Sequence, residues 1–143
     1  MNVATDINVV VAPKYARRVS QKELRAAACR VLAAESPDEN TALSIVIVGD
    51  RAMKDYNRRF HRVNAPTDVL SFDAPLDDAY LGDIIISYDT AKENARLTGW
   101  RVSQELELLV THGVLHLLGY DDADGDDRER MWHRQALIMA SEQ

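Results

Sequence analysis

Apolar and polar positions along this chain fall into blocks of two periodicities, one of strands and one of helices. Ile7 to Val11 is a short β-branched run ending at Pro13, which predicts a first strand. Ser20 and Glu23 make a capping box, and Leu24, Ala27, Ala28, Val31 and Leu32 follow at helical spacing. That helix stops before Pro37, and residues 37–40 form a loop. Ala42 to Val48 is apolar enough throughout to predict a buried second strand. Gly49 and Asp50 turn the chain, with Asp50 expected to cap a helix whose inner side carries Met53, Tyr56, Asn57 and Phe60. The run from Asn64 to Pro66 breaks it. Strand three, Asp68 to Phe72, turns Val69 and Ser71 to one face and Leu70 and Phe72 to the other. A polar loop over 73–80, expected to form a mobile rim, leads to strand four, Leu81 to Ile86. Ser87 then caps a helix that ends at Gly99.

The next helix organises the rest. No charged residue falls between Leu108 and Tyr120. With Ser103 as N-cap, Glu105 and Glu107 as early acids and Gly119 as the terminating glycine, the pattern predicts a helix over 104–118 of about four turns. Its leucines and valines leave no broad polar face, so it is expected to be central and buried. A final helix starts near Asp126, with Met131, Leu137 and Ile138 turned inward. Four short strands and about five helices in mixed order predict an α+β fold, a small mixed sheet packed on that central helix.

Two of the four histidines, His112 and His116, lie on the central helix four residues apart. That spacing stacks them on one face, where two ring nitrogens can address one metal ion; two hydrogen-bonded core histidines are the plain alternative. Gly113 between them, in a helix interior where glycine is unfavourable, implies a close neighbour at the backbone. Asp122, six residues after His116, stands where the chain can turn back to supply a third ligand.

The sequence from His112 to Asp122, HGVLHLLGYDD, resembles the signature of the YbeY family, bacterial single-strand endoribonucleases that bind zinc and act in ribosomal RNA maturation. The family pattern H-G-x-L-H-L-x-G-Y-D-H is met at ten of eleven positions, counting the two variable ones, and departs only where Asp122 stands for the third histidine. Pro66 to Phe72 resembles a second family signature and Gly82 to Ser87 a third, while Met131 and Gln135 occupy the family's methionine and glutamine positions in the last helix. The family's arginine five residues before the Pro66 position, thought to steady an RNA phosphate, is here His61.

The resemblance implies a single metal-hydrolase domain over 1–143, with one zinc ion per chain held by His112, His116 and Asp122. It also implies a role in ribosomal RNA processing and ribosome quality control. Partners would be single-stranded or ribosomal RNA, and further the small ribosomal subunit and an assembly GTPase. A carboxylate ligand makes the site one charge less positive than three imidazoles do, so the activity optimum should move to higher pH. His61 is a candidate general acid, and Arg58, Arg59 or Arg62 a candidate phosphate contact in place of the missing arginine. Of these, Arg59 is carried forward with His61 and Ser71. On the inner side of its strand Ser71 either donates to a phosphate or is an ordinary half-buried serine.

Composition narrows the classes. The net charge of −6 argues against a general nucleic-acid binder, but residues 51–62 hold five basic residues against Asp55 alone. That run is either a local basic groove or a solvated helix face. The acids of 121–129 have the wrong glycine and glutamate spacing for a calcium loop, and the helix dipole accounts for most of them. His133 is expected at the surface. One cysteine, Cys29, excludes an internal disulfide; no run reaches the ~20 apolar residues of a membrane span, and the N-terminus lacks the basic start of a signal peptide. A cytoplasmic protein fits. An RNA-binding or ribosome-assembly factor with lost catalysis is the alternative that the two departures raise. A metalloprotease is disfavoured, because Gly113 replaces the general-base glutamate of H-E-x-x-H.

Overall fold

The computed structural model describes residues 5–35, 41–74 and 79–140. The expected loop over 37–40 and residues 75–78, half of the polar rim expected over 73–80, lie outside them. The chain runs β1 (Thr5–Val11), a single 3-10 turn (Pro13–Tyr15), α1 (Gln21–Glu35), β2 (Thr41–Val48), α2 (Asp50–His61), β3 (Val69–Asp73), β4 (Tyr80–Ser87), α3 (Tyr88–Thr98), α4 (Val102–Leu117) and α5 (Gly125–Ala140). Four strands and five α-helices in an α+β arrangement agree with the sequence pattern.

The sheet order is β1-β2-β4-β3. β1 pairs parallel with β2, β2 parallel with β4, and β3 antiparallel with β4. In β2 the alternation is strict: Leu43, Ile45 and Ile47 are buried, and Ala42, Ser44, Val46 and Val48 only half-buried. The second strand is therefore buried on one face rather than on both. Against that face pack Leu24, Ala28 and Val31 of α1 and Leu109, Val110 and Val114 of α4, in one apolar cluster with Ile84 and Ile86. Burying a side chain of this size contributes about 1.5–3 kcal/mol, so these contacts dominate what holds the sheet to its helices.

Capping follows the sequence in part. Ser20 accepts the Glu23 N–H at 3.2 Å, and Ser87 accepts that of Thr90 at 3.2 Å, as their spacing predicts. Ser103, by contrast, lies inside α4, which starts two residues earlier than its expected first residue; Arg101 is the N-cap, its backbone N–H donating to Gln104 Oε1 at 3.0 Å. Asp50 does not cap its own helix. It is the first residue of α2, Gly49 is the N-cap, and the Asp50 carboxylate instead accepts the hydroxyls of Ser87 and Thr90.

Two apolar side chains expected inside are outside: Phe60 is 55% and Leu137 51% exposed. In α2 the buried positions are Met53 and Asn57, whose amide donates to the Ala65 carbonyl at 2.9 Å and fastens the helix to the segment after it. In α5 they are Met131, Gln135 and Ile138, and this stripe leaves Leu137 one residue off the buried face. His133 is exposed, as expected.

Candidate functional site

α4 crosses the sheet face because its side chains and its one glycine allow close approach. A Cβ on Gly113 would stand 2.7 Å from Ile84 Cγ2, so only glycine lets the helix settle at this depth. On the helix face beside Gly113, the rings of His112 and His116 lie 6.4 Å apart and nearly parallel, at 6°. The helix then ends in a left-handed turn. Gly119 has φ +105°, and the Tyr120 N–H reaches back to the Leu115 carbonyl at 3.1 Å. This reversal carries Asp122 back over the helix, where its Oδ2 stands 3.8 Å from His112 Nε2. The turn expected from Gly119 does return the third candidate ligand to the first.

His112 is also held from behind. Its Nδ1 lies 2.9 Å from Oε1 of Gln135, a residue only 1% exposed. An amide oxygen accepts, so Nδ1 carries the proton and Nε2 presents its lone pair towards Asp122. A histidine anchored through one nitrogen and free at the other is the arrangement found behind metal-ligating imidazoles. Buried Nδ1 of His116 has no hydrogen-bond partner among the described residues, which marks it as a second nitrogen with unused capacity. Two imidazoles and one carboxylate are a known donor set for catalytic zinc. In donor chemistry the three residues fit the ion. In position they fit less completely, since among the described residues no three His, Cys, Asp or Glu side chains already converge closely enough to hold one.

Next to His112 and Asp122 a cavity of about 210 Å³ opens, bounded by Asp68 and Val69, by Glu105 and Leu109 of α4, and by Trp132 and Gln135 of α5. Glu105 is 6% exposed. Burial raises its pKa above the ordinary carboxyl value; the Asn94 amide opposes that shift and the nearby Asp68 charge adds to it. In the sequence Glu105 stands only as an early acid of the helix. Its position seven residues before His112, two helical turns, was the available signal that it shares the same face. Trp132, 50% exposed with its ring centroid 6.2 Å from that of His112, was likewise missed.

The other candidates divide between the two faces of β3. Ser71 faces α4, its Oγ 3.5 Å from the Gly113 carbonyl oxygen. Phe72, next in the strand, points the opposite way and meets Phe60 at 5.0 Å and His61 at 6.2 Å. His61 is exposed there. Arg59 is exposed too, 3.9 Å from Asp55, with its guanidinium 5.6 Å from the Phe60 ring. The structure thus sets His112 beside His116 and beside Asp122, places Ser71 against the Gly113 carbonyl of the same helix, and sets Arg59 and His61 across the edge strand. A larger cleft of about 880 Å³ at the ends of β1 and β2 involves Lys14, Tyr15, Asp50, Arg51 and Asp89. The carboxylates of Asp50 and Asp89 are already engaged in holding helix ends, so the smaller cavity beside the histidines is the candidate site. No helix among the described residues is long and apolar enough to cross a membrane.

A family model described as Endoribonuclease YbeY matches residues 11–143. A protein of Dehalococcoides mccartyi strain BAV1 named Endoribonuclease YbeY is 39% identical, over 94% of this chain and 94% of its own length. One of the same name from Anaeromyxobacter dehalogenans is 42% identical, over 85% of this chain and 64% of its own. The solution structure of TM1509 from Thermotoga maritima superposes with a TM-score of 0.66 at 26% identity, over 92% of this chain and 85% of that one.

Proposed function

From a chain that belongs to the Endoribonuclease YbeY family, we propose a cytoplasmic, zinc-dependent endoribonuclease that cuts single-stranded RNA in ribosomal RNA processing and ribosome quality control. The observation that carries this reading is the imidazole of His112, fixed by Gln135 and turned with its free nitrogen towards Asp122. His112, His116 and Asp122 would hold one zinc ion, which would supply a water of lowered pKa and a Lewis acid for a phosphoryl oxygen. The protein's own contributions surround that chemistry. Gln135 keeps the proton on His112 Nδ1 and so keeps Nε2 available. Ser71 leaves the Gly113 carbonyl, a long partner at 3.5 Å, to donate to a phosphate oxygen. The substrate strand passes over the edge of β3 to α2, where Arg59 supplies a permanent positive charge and His61 a second contact to phosphates further along the strand. The small ribosomal subunit and an assembly GTPase are the further partners in this reading.

The test is zinc per chain in protein purified without chelator, followed by cleavage of single-stranded RNA. About one zinc is expected, lost in His116→Ala, reduced in Asp122→Ala, and bound about 10–100-fold more weakly in Gln135→Leu. Wild-type protein that takes up no zinc and cuts no RNA overturns the reading. A second reading, an RNA-binding assembly factor without catalysis, is favoured by one observation: the three candidate ligands do not yet converge. Retained RNA binding with no cleavage selects it.

A further inference from the structure

We propose that the cavity beside His112 is a subsite for one nucleobase, and that it selects guanine. The proposal rests on the single-stranded RNA reading above and assigns that reading a sequence preference.

Size comes first. At about 210 Å³ the cavity is smaller than the roughly 300–1,000 Å³ of pockets that enclose drug-sized ligands. It has room for a single planar ring system rather than a whole nucleotide. Its walls suit such a ring. Val69, Leu108 and Leu109 line it with apolar surface, and Trp132 offers an indole at the rim. Trp132 neighbours the buried Met131 in α5 yet is half exposed, and an aromatic face left open beside a strand of RNA is a stacking platform for an unpaired base.

Polar groups then choose among bases. Asp68 and Glu105 present carboxyl oxygens, bridged only by long hydrogen bonds from Asn94 Nδ2 at 3.3 and 3.5 Å, so both keep unused acceptor capacity. Gln135 supplies the opposite sign. Its oxygen is committed to His112, but its Nε2 is buried without an acceptor. A buried donor in that state is rare and costly, and Gln135 is one of the residues that line the cavity. The inventory is two acceptors and one orphaned donor. On its Watson–Crick edge guanine carries two adjacent N–H donors and one carbonyl acceptor. Adenine, cytosine and uracil each offer one donor there. Guanine is the complement.

The proposal is tested by binding, with cleavage followed separately on the same oligonucleotides. In a Trp100→Phe background, which leaves Trp132 as the one indole, the protein is titrated with four uridine hexamers whose third base is A, C, G or U. The guanine hexamer is expected to quench Trp132 fluorescence and to bind about tenfold tighter than the others, within the range for one well-made polar readout. Asp68→Ala combined with Glu105→Met, which leave no side-chain acceptor, should reduce guanine to the level of uracil while uridine hexamer binding persists. Trp132→Leu, at a half-exposed position where folding is not at stake, should lower the guanine advantage when read by fluorescence anisotropy of labelled RNA. Equal affinity for all four bases, or a preference that survives the double carboxyl variant, overturns the subsite. Sequence-neutral binding with intact cleavage removes the subsite alone; guanine preference without cleavage removes only the nuclease reading. No binding of any hexamer removes both.

Discussion

Asp50 and Asp89 hold the starts of each other's helices. The Asp50 carboxylate, on the first residue of α2, accepts the hydroxyl of Ser87, the N-cap of α3, at 2.6 Å. Asp89, in the first turn of α3, accepts the backbone N–H of Asp50 at 2.8 Å. Each acid lies near a helix N-terminus, where the dipole favours negative charge, and each satisfies a donor from the other element. Asp50→Ala leaves the fully buried Ser87 hydroxyl without its acceptor. It should lower stability by about 1–3 kcal/mol, read as a fall in urea midpoint at unchanged slope. With Asp89→Ala added, the loss should be smaller than the sum of the two single losses, since both act on one network.

Tyr15 closes the same network, its hydroxyl donating to Asp89 at 2.9 and 3.0 Å. Burial, then the hydrogen bond to Asp89 and its charge, push the phenol from 10.0 up to about 12. Between those values the folded protein keeps a proton that the unfolded chain has released, so stability falls as pH rises through that window. Below it the contribution is complete. Thermal unfolding of Tyr15→Phe should therefore show a shallower alkaline decline than the wild type, and parallel slopes would contradict the assignment.

Glu105 acts at the other end of the scale. Its folded-state pKa lies above the ordinary 4.5, mainly through burial. The native state thus holds a proton that the unfolded chain loses, and stability falls as pH rises from the ordinary value through the folded one. Below the ordinary value both states are protonated and the penalty is absent. Glu105→Gln removes the titration. Relative to wild type, its melting temperature should gain as pH rises above the ordinary carboxyl value, and a difference that stays constant with pH would exclude the effect.

Gly113→Ala sets a methyl 2.7 Å from Ile84 Cγ2. Helix propensity returns about 1 kcal/mol, but overpacking costs about 1–3 kcal/mol, so the variant should be destabilised or near neutral. The diagnostic is coupling. In an Ile84→Ala background the overpacking disappears, and Gly113→Ala should become stabilising there by chemical denaturation.

Much of this was legible in the sequence because period and punctuation agree. Ser20, Ser87, Gly99 and Gly119 end or start helices where their types predict. The alternation in β3 correctly separates Ser71 from Phe72. Illegible parts depended on partners far along the chain. Asp50 has the residue type and position of a cap, but the donors it meets are 37 and 40 residues away. Phe60 has helical spacing for burial, but β3 is an edge strand and covers it only with Phe72. At the site, His112 and His116 announce themselves by spacing. Glu105, Asp68 and Trp132 do not, because three elements contribute one residue or two each and no local pattern joins them.

The sheet order β1-β2-β4-β3 has a consequence for synthesis. β3 leaves the ribosome before its sole strand partner, and β2 waits with one edge open for a strand that begins 32 residues after its own last residue. β4 is the keystone: its arrival closes both edges at once and sets Ile84 in place for α4 to dock. Until then the edges of β2 and β3 that β4 will pair stand open on the nascent chain, the kind of surface that recruits other chains. A lesion in β4 should therefore show itself first as poor yield and aggregation during expression, before any defect in the finished protein is measured.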